Sequence, residues 1–209
     1  NFLAFLGWNP GTEEEMFSLS ELESSFEIGK IIKSGAKFNY EKAKWYNQQY
    51  IISSPNETLA ALIQEDIEKI GGVSVDKGFL TTFCGMMKER VMTLKEFSTK
   101  GKYFFTDDFE YDVKTIKKKF KIENGPHFEK ICNSLESLNT WKSNDIQNVI
   151  KSYITDNELS FGAILPILRI CLAGTMKGPD VFQMMELLGR QIVLSRMEKG
   201  LKFCKTTIS

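Results

Sequence analysis

Arg169 is the residue that most needs a reason. Every other position from Leu165 to Ala173 is apolar or proline, and after Gly174 the order Gly178-Pro179-Asp180-Val181-Phe182 opens a second helix. A guanidinium in such surroundings is costly to bury unless something pairs with it. A Gly-Pro helix start leaves backbone N–H groups unpaired close by. Together they make a corner suited to an anionic or hydrogen-bonding ligand. The plain alternative is a buried ion pair with an acid of the next helix, Glu186. Arg90, within Lys88-Glu89-Arg90-Val91, reads from the residues alone as a solvent-facing cation at a helix end. Thr175 and Lys177 offer polar contacts beside the turn, and Arg190 and Arg196 are suited to positioning phosphate.

Other chemistry is hard to find. No nucleophile elbow, phosphate-cradling loop, zinc-protease helix or dinucleotide fingerprint is present. The one histidine, His127, follows Pro126 at a helix start and reads as a surface or capping residue. Cys84, Cys132, Cys171 and Cys204 are far apart and share no CxxC spacing, so they are expected to be reduced thiols, and no metal site is expected.

Formal net charge is zero, which argues against nucleic acid until its distribution is read. From Asn1 to Lys30 six glutamates face one lysine; from Gly189 to Lys205 five bases, Arg190, Arg196, Lys199, Lys202 and Lys205, face Glu198 alone. That polarity permits a local phosphate-binding face.

The elements that must carry these residues are helical. Ser18 and Glu21 form a capping box, and Asn39 caps a helix containing Ala43, Tyr46, Tyr50 and Ile51. Glu57 to Ile70 places Leu59, Leu62, Ile63, Ile67 and Ile70 at helical spacing before Gly71-Gly72. A helix follows from about Gly78 to Met92, and Thr93 with Glu96 suggests another capping box. Tyr103, Phe104, Phe105, Phe109 and Tyr111 read as a small core, and the five lysines of 114–121 as a linker or exposed helix. Pro126 to Leu138 and Asp145 to Leu159 give two more helices, and Pro179 is expected at the first position of the last helix start. Phe2 to Trp8 reads as the end of a helix begun before residue 1. The expectation is an all-α protein of one large or two small domains, with breaks near Gly71 and Lys121. No apolar run approaches the ~20 residues that span a bilayer, so a soluble, cytoplasmic protein is expected.

Two separated blocks carry a resemblance. The helix and turn of 165–190 is one; the other runs through Asn1-Phe2-Leu3-Ala4-Phe5-Leu6-Gly7-Trp8-Asn9-Pro10-Gly11, Lys33-Ser34-Gly35-Ala36-Lys37-Phe38-Asn39 and Lys44-Trp45-Tyr46-Asn47-Gln48-Gln49-Tyr50-Ile51. In this order they resemble the carboxyl-terminal, anticodon-binding portion of bacterial-type glutamyl-tRNA synthetases. The resemblance implies a connecting, stem-contacting helical region over residues 1–55, a first anticodon-binding bundle over 56–121 and a second over 122–209.

It also implies roles. An arginine matching Arg90 reads the first anticodon base in that family, and one matching Arg169 serves the last two. Gly178, Pro179 and Val181 match the turn that packs against the middle and third bases. Gly178 departs from the family's commoner hydroxyl residue, and Asp180 from its frequent glycine. The catalytic signatures of the family lie upstream of the matched region, so ATP and Mg2+ are expected in a catalytic domain outside this sequence, and the fragment alone is expected to be inactive. The implied partners are tRNA(Glu) and that amino-terminal catalytic domain, in a monomer. Two other readings stay open: a non-discriminating enzyme that also charges tRNA(Gln), and a helical protein-interaction module built on the apolar corner at Val181.

Overall fold

The computed structural model describes residues 1–209 except Ser34, Ala36, Val73 and Ser209. Two residues of the segment that carries the resemblance, Ser34 and Ala36, therefore lie outside the described residues. Among those described, the architecture is helical throughout, with one isolated bridge between Trp8 and Ile31.

The first part is loosely built. Helices α1 (Ala4–Gly7) and α2 (Leu19–Ser25) are short, α2 opening on the Ser18–Glu21 capping box. Helix α3 (Tyr40–Ser53) starts on Asn39, whose side chain accepts from the backbone N–H groups of Glu41 and Lys42. It buries Tyr46 and Ile51, while Tyr50 stays exposed with its hydroxyl bonded to Asn1.

Packing tightens from α4 (Asn56–Gly71) onward. Leu59, Ile63 and Ile67 recur every fourth residue and form its buried stripe. Gly72, at φ 68°, closes it with a left-handed cap that would strain any side-chain-bearing residue. Helix α5 (Lys77–Met87), capped by Asp76, returns Leu80, Phe83, Cys84 and Met87 against that stripe. Gly71 is thus the turn of a packed helical pair and not a domain break. The chain continues through a 3-10 turn, Lys88–Arg90, into α6 (Leu94–Lys100). Thr93 makes no capping bond, and Glu96 reaches past it to the backbone N–H of Met92 and pairs with Lys100, so the expected box does not form.

The aromatic run is core, with Tyr103 and Phe104 buried and Phe105, Phe109 and Tyr111 packed onto the same apolar cluster. The lysine run forms α7 (Val113–Lys119), pinned by buried Ile116 and Phe120 while its lysines face solvent. Helix α7 packs on α10 (Phe161–Ala173) and α12 (Arg190–Ile208), so it goes with the later helices, and Lys121 is not where the packing changes. Helices α8 (Gly125–Glu136), α9 (Ser143–Asp156) and α11 (Val181–Leu188) complete that group. Its centre is α10, which buries Ile164, Ile167, Leu168, Ile170, Cys171, Leu172 and Ala173 and so leaves Arg169 almost no polar company on its own helix. One apolar cluster runs from Ile51 to Cys204, with helix α11 also touching α5.

Candidate nucleic-acid interface

Helix α10 ends at Gly174, whose left-handed backbone at φ 71° turns the chain toward Gly178, and α11 begins after Asp180. The side chain of Asp180 accepts from the N–H groups of Phe182 and Gln183 at 2.9 and 3.0 Å, which makes it the N-cap. Pro179 therefore precedes the cap and is not the first helical residue. Aspartate is a strong cap, and it takes the position one residue later than the Gly-Pro pattern suggested. The shift leaves the Gly178 and Pro179 carbonyls outside the helix ladder.

Two arginines claim those carbonyls. Nη1 of Arg169 donates to Pro179 at 2.6 Å, and Nε of Arg90 donates to Gly178 at 3.2 Å. Arg90 also bonds the carbonyl of Met86 at 3.1 Å, closing the end of α5. Its backbone is braced from both sides, since Lys100 donates to its carbonyl at 3.0 Å and Gln48 of α3 to the Glu89 carbonyl at 3.0 Å. The expected alternative partner of Arg169 is engaged elsewhere: Glu186 accepts from Lys142 at 3.1 Å and from the backbone N–H of Ser143 at 2.7 Å. No carboxylate among the described residues bonds to Arg169, which is pulled below the usual arginine range by burial and by the charge of Arg90, against opposing contributions from Tyr103 and Asp180. Guanidinium still remains charged.

Beneath the turn lies Tyr103. An ideal Cβ built on Gly178 would stand 2.6 Å from the Tyr103 hydroxyl and 3.4 Å from Nη1 of Arg169. Gly178 adopts φ 148°, so both its backbone and its lack of a side chain are needed where it sits. The Tyr103 residue is 4% exposed, and its hydroxyl has no hydrogen-bond partner among the described residues. Burial pushes its pKa up to about 12, although Arg169 and Arg90 draw it down.

A half-buried cation and an exposed cation on one turn can donate to the edge of an unstacked base, which no groove-inserting helix is needed to reach. A family model described as the anticodon binding domain matches residues 40–201. The chain belongs to that family.

The relatives of this anticodon-binding chain agree. The glutamate–tRNA ligase of Christiangramia forsetii is 36% identical over 205 residues, covering 98% of this chain and 40% of the relative. That of Porphyromonas gingivalis W83 is 35% identical over 202 residues, with 97% and 40% covered. Among solved structures, a glutamate tRNA ligase from Elizabethkingia meningosepticum in complex with its amino acid aligns with a TM-score of 0.87 at 32% identity, over 96% of this chain and 40% of that one. The chain thus spans about 40% of the length of the proteins it matches.

Within the anticodon-binding fold, not every expected contact sits on the turn. Arg90, Arg169, Gly178 and Pro179 converge. Thr175 accepts from the backbone N–H of Lys177 at 3.2 Å and shapes the loop, with the Lys177 side chain exposed at its rim. Val181 is buried at 4% exposure, so it supports the turn from below and offers no apolar corner to a partner helix.

Arg196 is corrected outright as a phosphate contact. It is 3% exposed and donates to Asp107 at 2.8 Å and to the carbonyls of Tyr103, Leu172 and Thr106 at 2.7, 2.9 and 3.1 Å, with its guanidinium over Phe109. Arg190, half-buried, also has structural bonds: it donates to the carbonyls of Glu136 and Leu138, capping the end of α8, and lies over Trp141. Both are drawn inward because loose carbonyls in those places need donors. Sequence reasoning placed Tyr103 in the core and overlooked its hydroxyl; its position under Gly178 has no sequence signal.

Proposed function

We propose that this chain is the anticodon-reading portion of a bacterial-type glutamate–tRNA ligase, with tRNA(Glu) as its RNA. Arg90 serves the first anticodon base and Arg169 the last two, with Gly178 and Pro179 supplying backbone and shape and Val181 supporting them. The observation that carries this reading is the meeting of two guanidiniums, from helices far apart in the sequence, on one turn between α10 and α11. Planar guanidinium donates to base carbonyls and stacks on base faces. Lys177 and the exposed lysines of α7 lend favourable charge.

Joining glutamate to its tRNA belongs to the longer parent protein. ATP and Mg2+ are used in its catalytic domain, and among the described residues no group of three or more His, Cys, Asp or Glu is placed to hold a metal ion. The fragment is inactive alone, and the parent is a cytoplasmic monomer that discriminates tRNA(Glu) from tRNA(Gln) through Arg90. Leu3, Leu19, Phe26, Ile28, Phe38 and Tyr40, all more than half exposed, form the seat of the catalytic portion. Among the described residues no helix is long and apolar enough to cross a membrane.

Titrating the chain with tRNA(Glu) across a salt series tests the reading. Affinity that falls steeply with rising salt supports it, because phosphate contacts release counterions; salt-insensitive binding contradicts it.

A further inference from the structure

The Tyr103 hydroxyl is a buried donor with no partner among the described residues, placed against Gly178, one of the two residues whose carbonyls Arg90 holds. Buried polar groups are almost always satisfied, so an orphan at a binding turn calls for an explanation. The residue it abuts is Gly178, whose carbonyl accepts from Arg90. Arg90 is exposed and has N–H groups to spare beyond those on Gly178 and Met86, so its guanidinium is the group an incoming base carbonyl reaches first.

We propose that Tyr103 is a positioning residue for base reading, whose hydroxyl takes over the Gly178 carbonyl when an RNA base draws Arg90 off it. The proposal rests on the anticodon-reading function given above. In the free protein the Tyr103 hydroxyl is unpaired and Arg90 is tied to the turn. In the bound state Arg90 donates to the base, Tyr103 donates to Gly178, and neither that hydroxyl nor that carbonyl is left over. Without the phenol, drawing Arg90 away would orphan the Gly178 carbonyl, and the base would have to compete for its reader.

The backbone is arranged for this exchange. A side chain at position 178 would fill the gap between the hydroxyl and the turn, and glycine leaves it open. Arg196 fixes the Tyr103 carbonyl and that of Leu172 with the same Nη1 at 2.7 and 2.9 Å, so the phenol is held in place beneath the turn.

Thermal melting and fluorescence titration of the 209-residue chain, as wild type, Tyr103→Phe, Arg90→Gln and the double variant, test the proposal. The RNAs are tRNA(Glu) and the same tRNA with its first anticodon base changed. Tyr103→Phe is expected to melt at or above the wild-type temperature and to bind tRNA(Glu) about fivefold more weakly, an effect of one net hydrogen bond, with no further loss in the Arg90→Gln background. Wild-type affinity in Tyr103→Phe, an equal loss in both backgrounds, or a melting temperature well below wild type overturns the proposal and leaves the phenol a packing residue. Wild-type chain that binds both RNAs equally overturns the anticodon-reading function itself.

Discussion

Nε of Arg90 donates to the carbonyl of Gly178 at 3.2 Å across 88 positions of sequence. The bond joins the end of α5 to the turn between α10 and α11, so the candidate reading surface is a seam between two groups of helices. Each half supplies one cation to the carbonyls of the turn.

Arg169 is the deeper of the two cations, and removing it separates binding from folding. Arg169→Ala is expected to weaken tRNA(Glu) binding by about tenfold or more, the cost of losing a charged hydrogen-bond donor. Its melting temperature should move by only a few degrees. Arg169→Lys should recover little, since an ammonium lacks the planar fork. Titration beside thermal melting of both variants checks this.

Arg196 should behave in the opposite way. Replacing it by methionine strands the carbonyls of Tyr103, Thr106 and Leu172 and the carboxylate of Asp107, and is expected to cost about 3–5 kcal/mol of stability. Denaturant unfolding measures the loss. A variant as stable as wild type but weaker for RNA would restore Arg196 to phosphate contact.

Gly178→Ala forces a Cβ to within 2.6 Å of the Tyr103 hydroxyl at a backbone angle of 148°. It should cost about 1–3 kcal/mol through strain and overpacking. Gly162→Ala is the matched control: its Cβ meets nothing nearer than Ser160 at 3.5 Å, and the change should be neutral or stabilising by about 0.5 kcal/mol. Melting the two variants side by side gives the contrast.

Acid should release the clamp around residues 103–109. Burial raises the pKa of Asp107, but Arg196 and Lys199 outweigh it and hold the group below the usual aspartate value. A carboxylate depressed in the folded state adds stability above its unfolded pKa, about 4, and loses it as pH falls through the folded value. Melting temperatures should therefore be insensitive to this group between about pH 5 and 8, and Asp107→Asn should flatten part of the decline below about pH 4. An unchanged acid limb in that variant would contradict the assignment.

How much of this could be read from sequence depended on whether a residue's partners were local. The Ser18–Glu21 box, the Asn39 cap and the Gly72 stop are short-range chemistry, and each appears as expected. Arg169 was visible because a lone charge on an apolar helix has no ordinary explanation. Arg196 was not, because its acceptors are backbone carbonyls 24 to 93 positions away and its own neighbours look like any basic helix face. The lysine run of 114–121 reads as a linker or exposed helix; that Ile116 and Phe120 anchor it among the later helices is visible only in the structure. The pairing of Arg90 with Gly178 leaves no trace in composition or periodicity; only the family resemblance drew attention to Arg90.

The central claim is that the Gly178 turn reads an anticodon. Its most direct test is the affinity of this chain, at physiological salt, for tRNA(Glu) and for the same tRNA with its anticodon replaced, in wild type and in Arg169→Ala. The account predicts tighter binding of the native anticodon by wild type and a preference that collapses in the variant. Equal affinity for the two RNAs, or a preference that survives loss of Arg169, would contradict it.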